Sequence, residues 1–271
     1  MAYLQTACGR QVYFEDYRSN SSGGPVMVLV HGWGMSTQCW DPILPDLKAA
    51  GLGIVALDHR GCGRSDKTFE DVSIGAIADD VVALLDHLNI DQAILNGWSL
   101  GGAVVVDAAA KLGGRCKGLV LTGGATPVYT KKSDFEHGGT AEDVAGTVQA
   151  YETNRIDFLQ GLSQIVCVTE VGANIENWFY QIFLQASPFA GATLGELATS
   201  DQRDTLMGLD IPIASIFGSE DGFVAPAICR WVGENHPRAR NVEFAGVGHA
   251  PFIEASEEYL EAVREFVGEI A

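Results

Sequence analysis

The sequence has no uninterrupted apolar run of the roughly 18 residues needed to cross a bilayer, so no membrane-spanning helix is expected. Between Met1 and Asn20 there is neither a basic leader ahead of an apolar stretch nor a small-residue cleavage site, and a cytoplasmic protein is the expectation. The cysteines are few and scattered: Cys8, Cys39, Cys62, Cys116, Cys167 and Cys229 include no CxxC-type pair. A zinc cluster therefore has no support, and reduced structural thiols are expected. Basic residues are scarce as well, 17 Lys and Arg against 35 Asp and Glu, which gives a formal net charge of -18. A surface of that sign repels polyanions, and nucleic acid is excluded as a partner for want of a cationic footprint.

What is present describes one folded core. The chain is 47% hydrophobic and 19% charged, and its 271 residues suffice for a single large domain with a small insertion. Tyr3 to Thr6 and Gln11 to Glu15 read as a strand pair turning at Gly9, and the stretch Ser19 to Pro25 punctuates the chain after it. Val26 to Val30 is continuously apolar, as expected of a strand covered on both faces, and similar runs recur at 54–57, 93–95, 118–121, 211–217 and 241–244. Helical patterns lie between them. In 74–88, apolar residues recur at spacings of three and four; 100–112 is rich in Ala and Val and almost uncharged; 254–266 is amphipathic with acidic residues in its first turns. Alternating strands and helices predict an α/β fold with a mainly parallel, eight-stranded sheet and helices on both faces.

The alternation fails from 126 to 208, where the patterns are helical. Aromatics gather there (Tyr151, Phe158, Trp178, Phe179, Tyr180, Phe183, Phe189), and 11 acidic residues outnumber 4 basic ones. A helical cap inserted over the carboxyl edge of the sheet is expected at 126–208, with the core formed by 1–125 and 209–271.

Chemistry is carried by Gly97-Trp98-Ser99-Leu100-Gly101-Gly102, which leaves an apolar strand run and opens a helical one. The glycines allow a sharp strand-to-helix turn that holds Ser99 strained with its hydroxyl exposed. A serine hydroxyl needs a base to become a nucleophile. Among six histidines His249 fits best, since Gly248-His249-Ala250-Pro251 follows the last strand run at the same sheet edge, whereas His87 and His236 read as surface residues. Asp221, just past the 211–217 run, is the expected partner of the imidazole; Glu220 is adjacent, but Gly222 permits an exposed bend directly after Asp221. The backbone N–H of Leu100 would meet a developing oxyanion, together with that of Trp33 in the loop His31-Gly32-Trp33-Gly34. His31 is expected to brace that loop. Asp58-His59-Arg60-Gly61-Cys62-Gly63-Arg64-Ser65 lacks the GKS or GKT ending of a phosphate cradle and is expected to organise a turn behind the site. Nothing local activates Cys62. Trp33, Trp178, Phe179 and Phe183 are the expected substrate-pocket residues.

Through HGWG at 31–34, GWSLGG at 97–102, the 58–65 loop, Gly218 to Asp221 and HAPF at 249–252, the sequence resembles the α/β-hydrolase superfamily along nearly its whole length. The motif set is similar to those of bacterial carboxylesterases, acyl-homoserine-lactone hydrolases and pimeloyl carrier-protein methyl ester esterases. The resemblance implies a Ser99–Asp221–His249 triad, an oxyanion hole at Trp33 and Leu100, and hydrolysis without a metal or organic cofactor. Esterases that accept a carrier protein are expected to dock it through basic cap residues. An excess of 7 negative charges here opposes such docking, and a small, uncharged ester or lactone is the expected substrate. A cofactor-free perhydrolase, a carbon–carbon bond hydrolase, and a ligand-binding protein without turnover are the alternatives on the same fold.

Overall fold

The apolar runs at 26–30, 54–57, 93–95, 118–121 and 213–217 become strands whose residues are buried on both faces, whereas the run at 241–244 forms an edge strand without a buried residue. The computed structural model describes residues 2–18 and 25–270. All of the punctuating stretch at 19–25 except Pro25 lies outside them. β1 (Ala2–Gln5) and β2 (Gln11–Asp16) form an antiparallel pair, and the turn uses Gly9 at φ +80°. With β3 (Val26–Val30), β4 (Gly53–Leu57), β5 (Ala93–Trp98), β6 (Cys116–Thr122), β7 (Ile213–Gly218) and β8 (Ala239–Phe244), they make one eight-stranded sheet. Its order is β1-β2-β4-β3-β5-β6-β7-β8. β2 is antiparallel to β4, and every pairing beyond β4 is parallel.

Side-chain alternation divides the interior into two cores. Val28, Val30, Val55 and Leu57 pack with Ile77 and Val81 of α2 (Ile74–His87) and with Val104 of α3 (Leu100–Leu112). Met27, Leu29, Ile54 and Ala56 face the other way, toward Leu47 of α1 (Leu44–Ala49) and toward Tyr259 and Val263 near the C-terminus. Every residue of β3 and β4 is buried, which is why these strands read as unbroken apolar runs rather than as alternating ones.

Between β6 and β7 the chain forms five helices: α4 (Ala141–Thr153), α5 (Arg155–Ile165), α6 (Ala173–Phe183), α7 (Gly191–Leu197) and α8 (Arg203–Met207). A capping box between Thr140 and Asp143 starts α4. α9 (Pro226–Asn235) links β7 to β8.

The C-terminal pattern at 254–266 is not one helix. A short α10 (Pro251–Glu254) stops at Ala255, whose φ and ψ are -138° and 53°, and α11 (Ser256–Ile270) begins afresh. Glu254 therefore does not cap the long helix; that first-turn position falls to Glu257 and Glu258. Parallel strands place all their carboxyl ends on one edge of the sheet, and the loops leaving β3, β5, β7 and β8 meet there.

Candidate functional site

Ser99 sits at the junction of β5 and α3 with φ 56° and ψ -122°, a conformation an L residue rarely adopts. Its backbone is fixed on both sides. The N–H donates to the Thr122 carbonyl at 3.0 Å, and the carbonyl accepts from Gly102 at 2.8 Å and Ala125 at 2.9 Å. Close packing accounts for the flanking glycines: a Cβ at Gly97 would overlap the Gly101 carbonyl, and one at Gly101 would overlap the carbonyls of Val30 and His31. The turn thus brings α3 directly against the end of β3.

Asp221 and His249 arrive from the loops after β7 and β8. His249 Nδ1 lies 2.8 Å from Asp221 Oδ2, with side-chain exposures of 6% and 0%. An ionised carboxylate can only accept, so Nδ1 carries the hydrogen, and in the neutral ring Nε2 is the nitrogen with the lone pair. Asp221 Oδ1 accepts from the backbone of Phe223 at 2.8 Å and Val224 at 2.9 Å, which fixes the carboxylate. Phe223 stacks on the imidazole with centroids 4.8 Å apart. Ser99 and His249 line the same cavity, without a closed hydrogen bond between them; such contacts often tighten only when substrate is bound.

Trp33 and Leu100 line that cavity too, and among the described residues neither backbone N–H is taken up by a protein acceptor. At the start of α3 the Leu100 N–H also has the helix dipole behind it. The cavity measures about 390 Å³. Its wall is mostly apolar, with Phe158, Leu162, Val166 and Phe183 on the helical side and Met35 and Phe223 on the core side. Among the described residues no Lys or Arg lines it, and Asp143 is its one carboxylate.

A family model described as "alpha/beta hydrolase fold" matches residues 25–157. The pimeloyl-[acyl-carrier protein] methyl ester esterase of Aeromonas hydrophila is 30% identical over 254 residues, covering 90% of this chain and 96% of that one. The chain belongs to the α/β-hydrolase superfamily. Among solved structures, an esterase from Rhodococcus sp. superposes on this α/β-hydrolase with a TM-score of 0.87 at 28% identity, covering 100% and 99% of the two chains. An esterase from Exiguobacterium antarcticum gives 0.93 at 24%, covering 98% of each.

The α/β-hydrolase core braces the site from behind. His31 is fully buried and stacks on His59 with centroids 3.7 Å apart. Its Nε2 accepts from the His59 N–H at 2.9 Å, so Nδ1 is the donor to the Gly32 carbonyl at 2.7 Å. That carbonyl shares its peptide plane with the Trp33 N–H, so His31 helps to set the direction of this amide. Burial drives the His31 pKa down to about 3 and keeps the ring neutral. In the 58–65 loop, Asp58 accepts from the backbone of Thr37 and of Arg64, each at 2.6 Å. Burial pushes the Cys62 thiol up to about 12, leaving no thiolate for chemistry.

Two expected pocket residues lie elsewhere. Phe179 is fully buried against Trp98 with centroids 6.3 Å apart, and half-buried Trp178 packs on Phe179 at 5.2 Å; neither lines the cavity. Phe183, one turn further along α6, reaches the cavity. Trp33 lines it while its indole N–H donates to the Ala190 carbonyl at 2.8 Å, tying the loop after β3 to the start of α7. His236 is not a surface residue: it is 3% exposed and its Nε2 meets the Leu209 carbonyl at 2.9 Å. His87 is exposed as expected. Trp98 and Phe223, which touch the imidazole, had no sequence signal beyond their adjacency to Ser99 and Asp221.

Proposed function

We propose that this chain is a serine ester hydrolase that cleaves small, uncharged esters or lactones through an acyl-enzyme, with Ser99 as nucleophile, His249 as general base and Asp221 as the partner of the imidazolium. The observation that carries the reading is the shared cavity: Ser99, the imidazole oriented by buried Asp221, and two unoccupied backbone N–H groups all border one apolar space. His249 Nε2 takes the hydroxyl proton as Ser99 Oγ attacks the carbonyl. The N–H groups of Trp33 and Leu100 receive the negative charge on oxygen, each contributing about 2.7 to 4 kcal/mol by comparison with other serine hydrolases. The imidazolium then protonates the departing alkoxide, and water activated by the same nitrogen releases the acid and restores Ser99. A lactone follows the same path, its alkoxide remaining tethered to the acyl group.

Charge narrows the substrate. An anionic acyl tail would bury its charge among apolar side chains, with Asp143 as the one carboxylate and no Lys or Arg at the wall among the described residues, at a cost of several kcal/mol. The Aeromonas relative is named for a carrier-protein ester, but the 126–208 segment here offers little to an acidic carrier. Arg203 pairs with Asp201 and Asp134, Lys132 lies 3.9 Å from Asp201, and Arg155 donates to the Ala186 carbonyl, which leaves Lys131 outside such pairs among the described residues. This reading takes 126–208 as the cap and 1–125 with 209–271 as the core. A cytoplasmic setting belongs to it as well, since all six cysteines are free thiols; no described helix is long and apolar enough to cross a membrane.

The test is a mixture of short, long, aromatic and cyclic esters incubated with the purified protein, the products being identified by mass spectrometry. Turnover of uncharged members that disappears in Ser99→Ala supports the proposal. Failure to cleave any of them, or undiminished cleavage by Ser99→Ala, would overturn it.

A further inference from the structure

The break between α10 and α11 frees one side chain for another task. Glu254 turns away from the long helix, and its carboxylate accepts from four backbone N–H groups and one hydroxyl. Oε2 accepts from Val168 at 2.8 Å, Gly248 at 3.0 Å, Thr169 at 3.1 Å and the Thr169 hydroxyl at 3.3 Å; Oε1 accepts from Ala250 at 3.1 Å. Gly248 and Ala250 flank His249, whereas Val168 and Thr169 follow α5. A further backbone bond joins the two segments directly, from the His249 N–H to the Val166 carbonyl at 3.1 Å. The two loops are otherwise some 80 residues apart in the chain, and one carboxylate satisfies donors from both.

Gly248 completes the arrangement. A Cβ there would lie 2.9 Å from Glu254 Oε1 and 2.9 Å from the Val168 nitrogen, so the close approach of carboxylate and loop requires this glycine. Val166 also lines the cavity.

We propose that Glu254 is a positioning residue for the hydrolytic reaction: it clamps the His249 loop to the segment after α5, so that docking of the helical insertion and alignment of the imidazole with Ser99 are one event. The proposal rests on the serine-hydrolase reading for its kinetic consequence alone. Hydrogen bonds to an ionised group exceed neutral ones in strength, and a carboxylate can meet all five donors where no neutral side chain of this size can. A Gln at 254 offers a single acceptor oxygen, and its NH2 must point at one of the N–H donors. Misplacing a general base by about 1 Å costs as much as 100-fold in rate.

The experiment compares wild type with Glu254→Gln and Gly248→Ala. In Glu254→Gln, kcat for an uncharged ester is expected to fall roughly tenfold or more while KM stays within about twofold, because the binding wall keeps its shape and the base loses its alignment. Amide hydrogen exchange is expected to quicken roughly tenfold in 247–250 and 166–169 together, and this readout holds whether or not any ester is turned over. Should Glu254→Gln fail to fold, Gly248→Ala carries the test, since its methyl group must push the carboxylate or the Val168 loop aside and lower kcat in the same manner. Wild-type kcat in the folded variant, a change in KM alone, or faster exchange confined to one of the two segments would overturn the clamp. A wild-type protein inert toward every ester would sink the hydrolase reading and leave the exchange result to judge Glu254.

Discussion

The indole N–H of Trp98 donates to the backbone carbonyl of His249 at 2.8 Å, and the two rings lie with centroids 5.4 Å apart. Trp98 precedes Ser99, so this bond joins the chain segments that carry the proposed nucleophile and base. Trp98 also meets Phe252 at 5.0 Å and Trp40 at 6.4 Å, which keeps the indole from rotating. Trp98→Phe retains an aromatic ring and removes the donor, leaving a buried carbonyl unpaired. It is expected to cost about 1 to 3 kcal/mol of stability and to lower kcat several-fold with little change in KM. Denaturant unfolding with steady-state kinetics checks both; a variant that loses stability and keeps full kcat would show that the bond holds the fold and not the base.

Ser99 combines two burdens, a strained backbone and the proposed attacking oxygen, and substitutions can separate them. At φ 56° and ψ -122° a Cβ is unfavourable, a strain of about 1 to 3 kcal/mol. Ser99→Ala keeps the strain and loses the oxygen. Ser99→Gly loses both. Each is expected to reduce kcat by about 10⁴-fold or more and to abolish labelling by a fluorophosphonate probe. The Gly variant is expected to melt above the Ala variant, by about 2 °C if about 1 kcal/mol of strain survives the greater chain entropy of glycine. Equal melting temperatures would mean that the surrounding hydrogen bonds, and not the Cβ, set the conformation.

The motif around Ser99 was legible because steric demands act at fixed offsets in the chain: Gly97 and Gly101 are required wherever a helix leaves a buried strand this abruptly. Val26–Val30 was legible for a similar local reason, since a strand covered on both faces must be apolar throughout. His236 was not, because its partner is the carbonyl of Leu209, 27 residues away, and nothing in Asn235-His236-Pro237 indicates burial. The sequence does not tell which aromatics of α6 face the cavity. Composition locates Trp178, Phe179 and Phe183 in one helix, but only the packing against Trp98 determines that Phe179 is buried away from the cavity while Phe183 meets it. Glu254 sits in an amphipathic pattern that continues into α11, and its donors come from loops the local pattern does not contain.

Substrate length is expected to be set by the helical side of the cavity. Leu162 of α5 lines it and is half-buried, so a larger side chain can enter the cavity without disturbing the sheet. Leu162→Trp is expected to lower kcat/KM for an octanoyl ester by about tenfold or more relative to an acetyl ester, since each methylene excluded from an apolar pocket forfeits about 0.8 kcal/mol. A series of p-nitrophenyl esters from acetyl to decanoyl checks this. An unchanged ratio across the series would place the acyl chain away from α5.

Acid stability is expected to report on the paired histidines behind the Gly32–Trp33 loop. His31 titrates at about 3 in the folded protein against an ordinary 6.5, and burial moves His59 in the same direction. Between those values the unfolded chain binds a proton at position 31 that the native state refuses. The unfolding free energy contributed by this residue is therefore fully present above pH 6.5 and declines as pH falls toward 3. The slope approaches about 1.4 kcal/mol per pH unit for each such histidine once pH is well below 6.5. His31→Asn keeps a donor for the Gly32 carbonyl and has no group that titrates, so its unfolding free energy is expected to fall less steeply between pH 6 and 5, by roughly 1 kcal/mol over that unit. Urea unfolding of both proteins at pH 7.5, 6.0 and 5.0 measures the difference. Parallel curves would mean that the native protein takes up the His31 proton as readily as the unfolded chain, and that the neutral ring is not what holds the Gly32–Trp33 peptide in place.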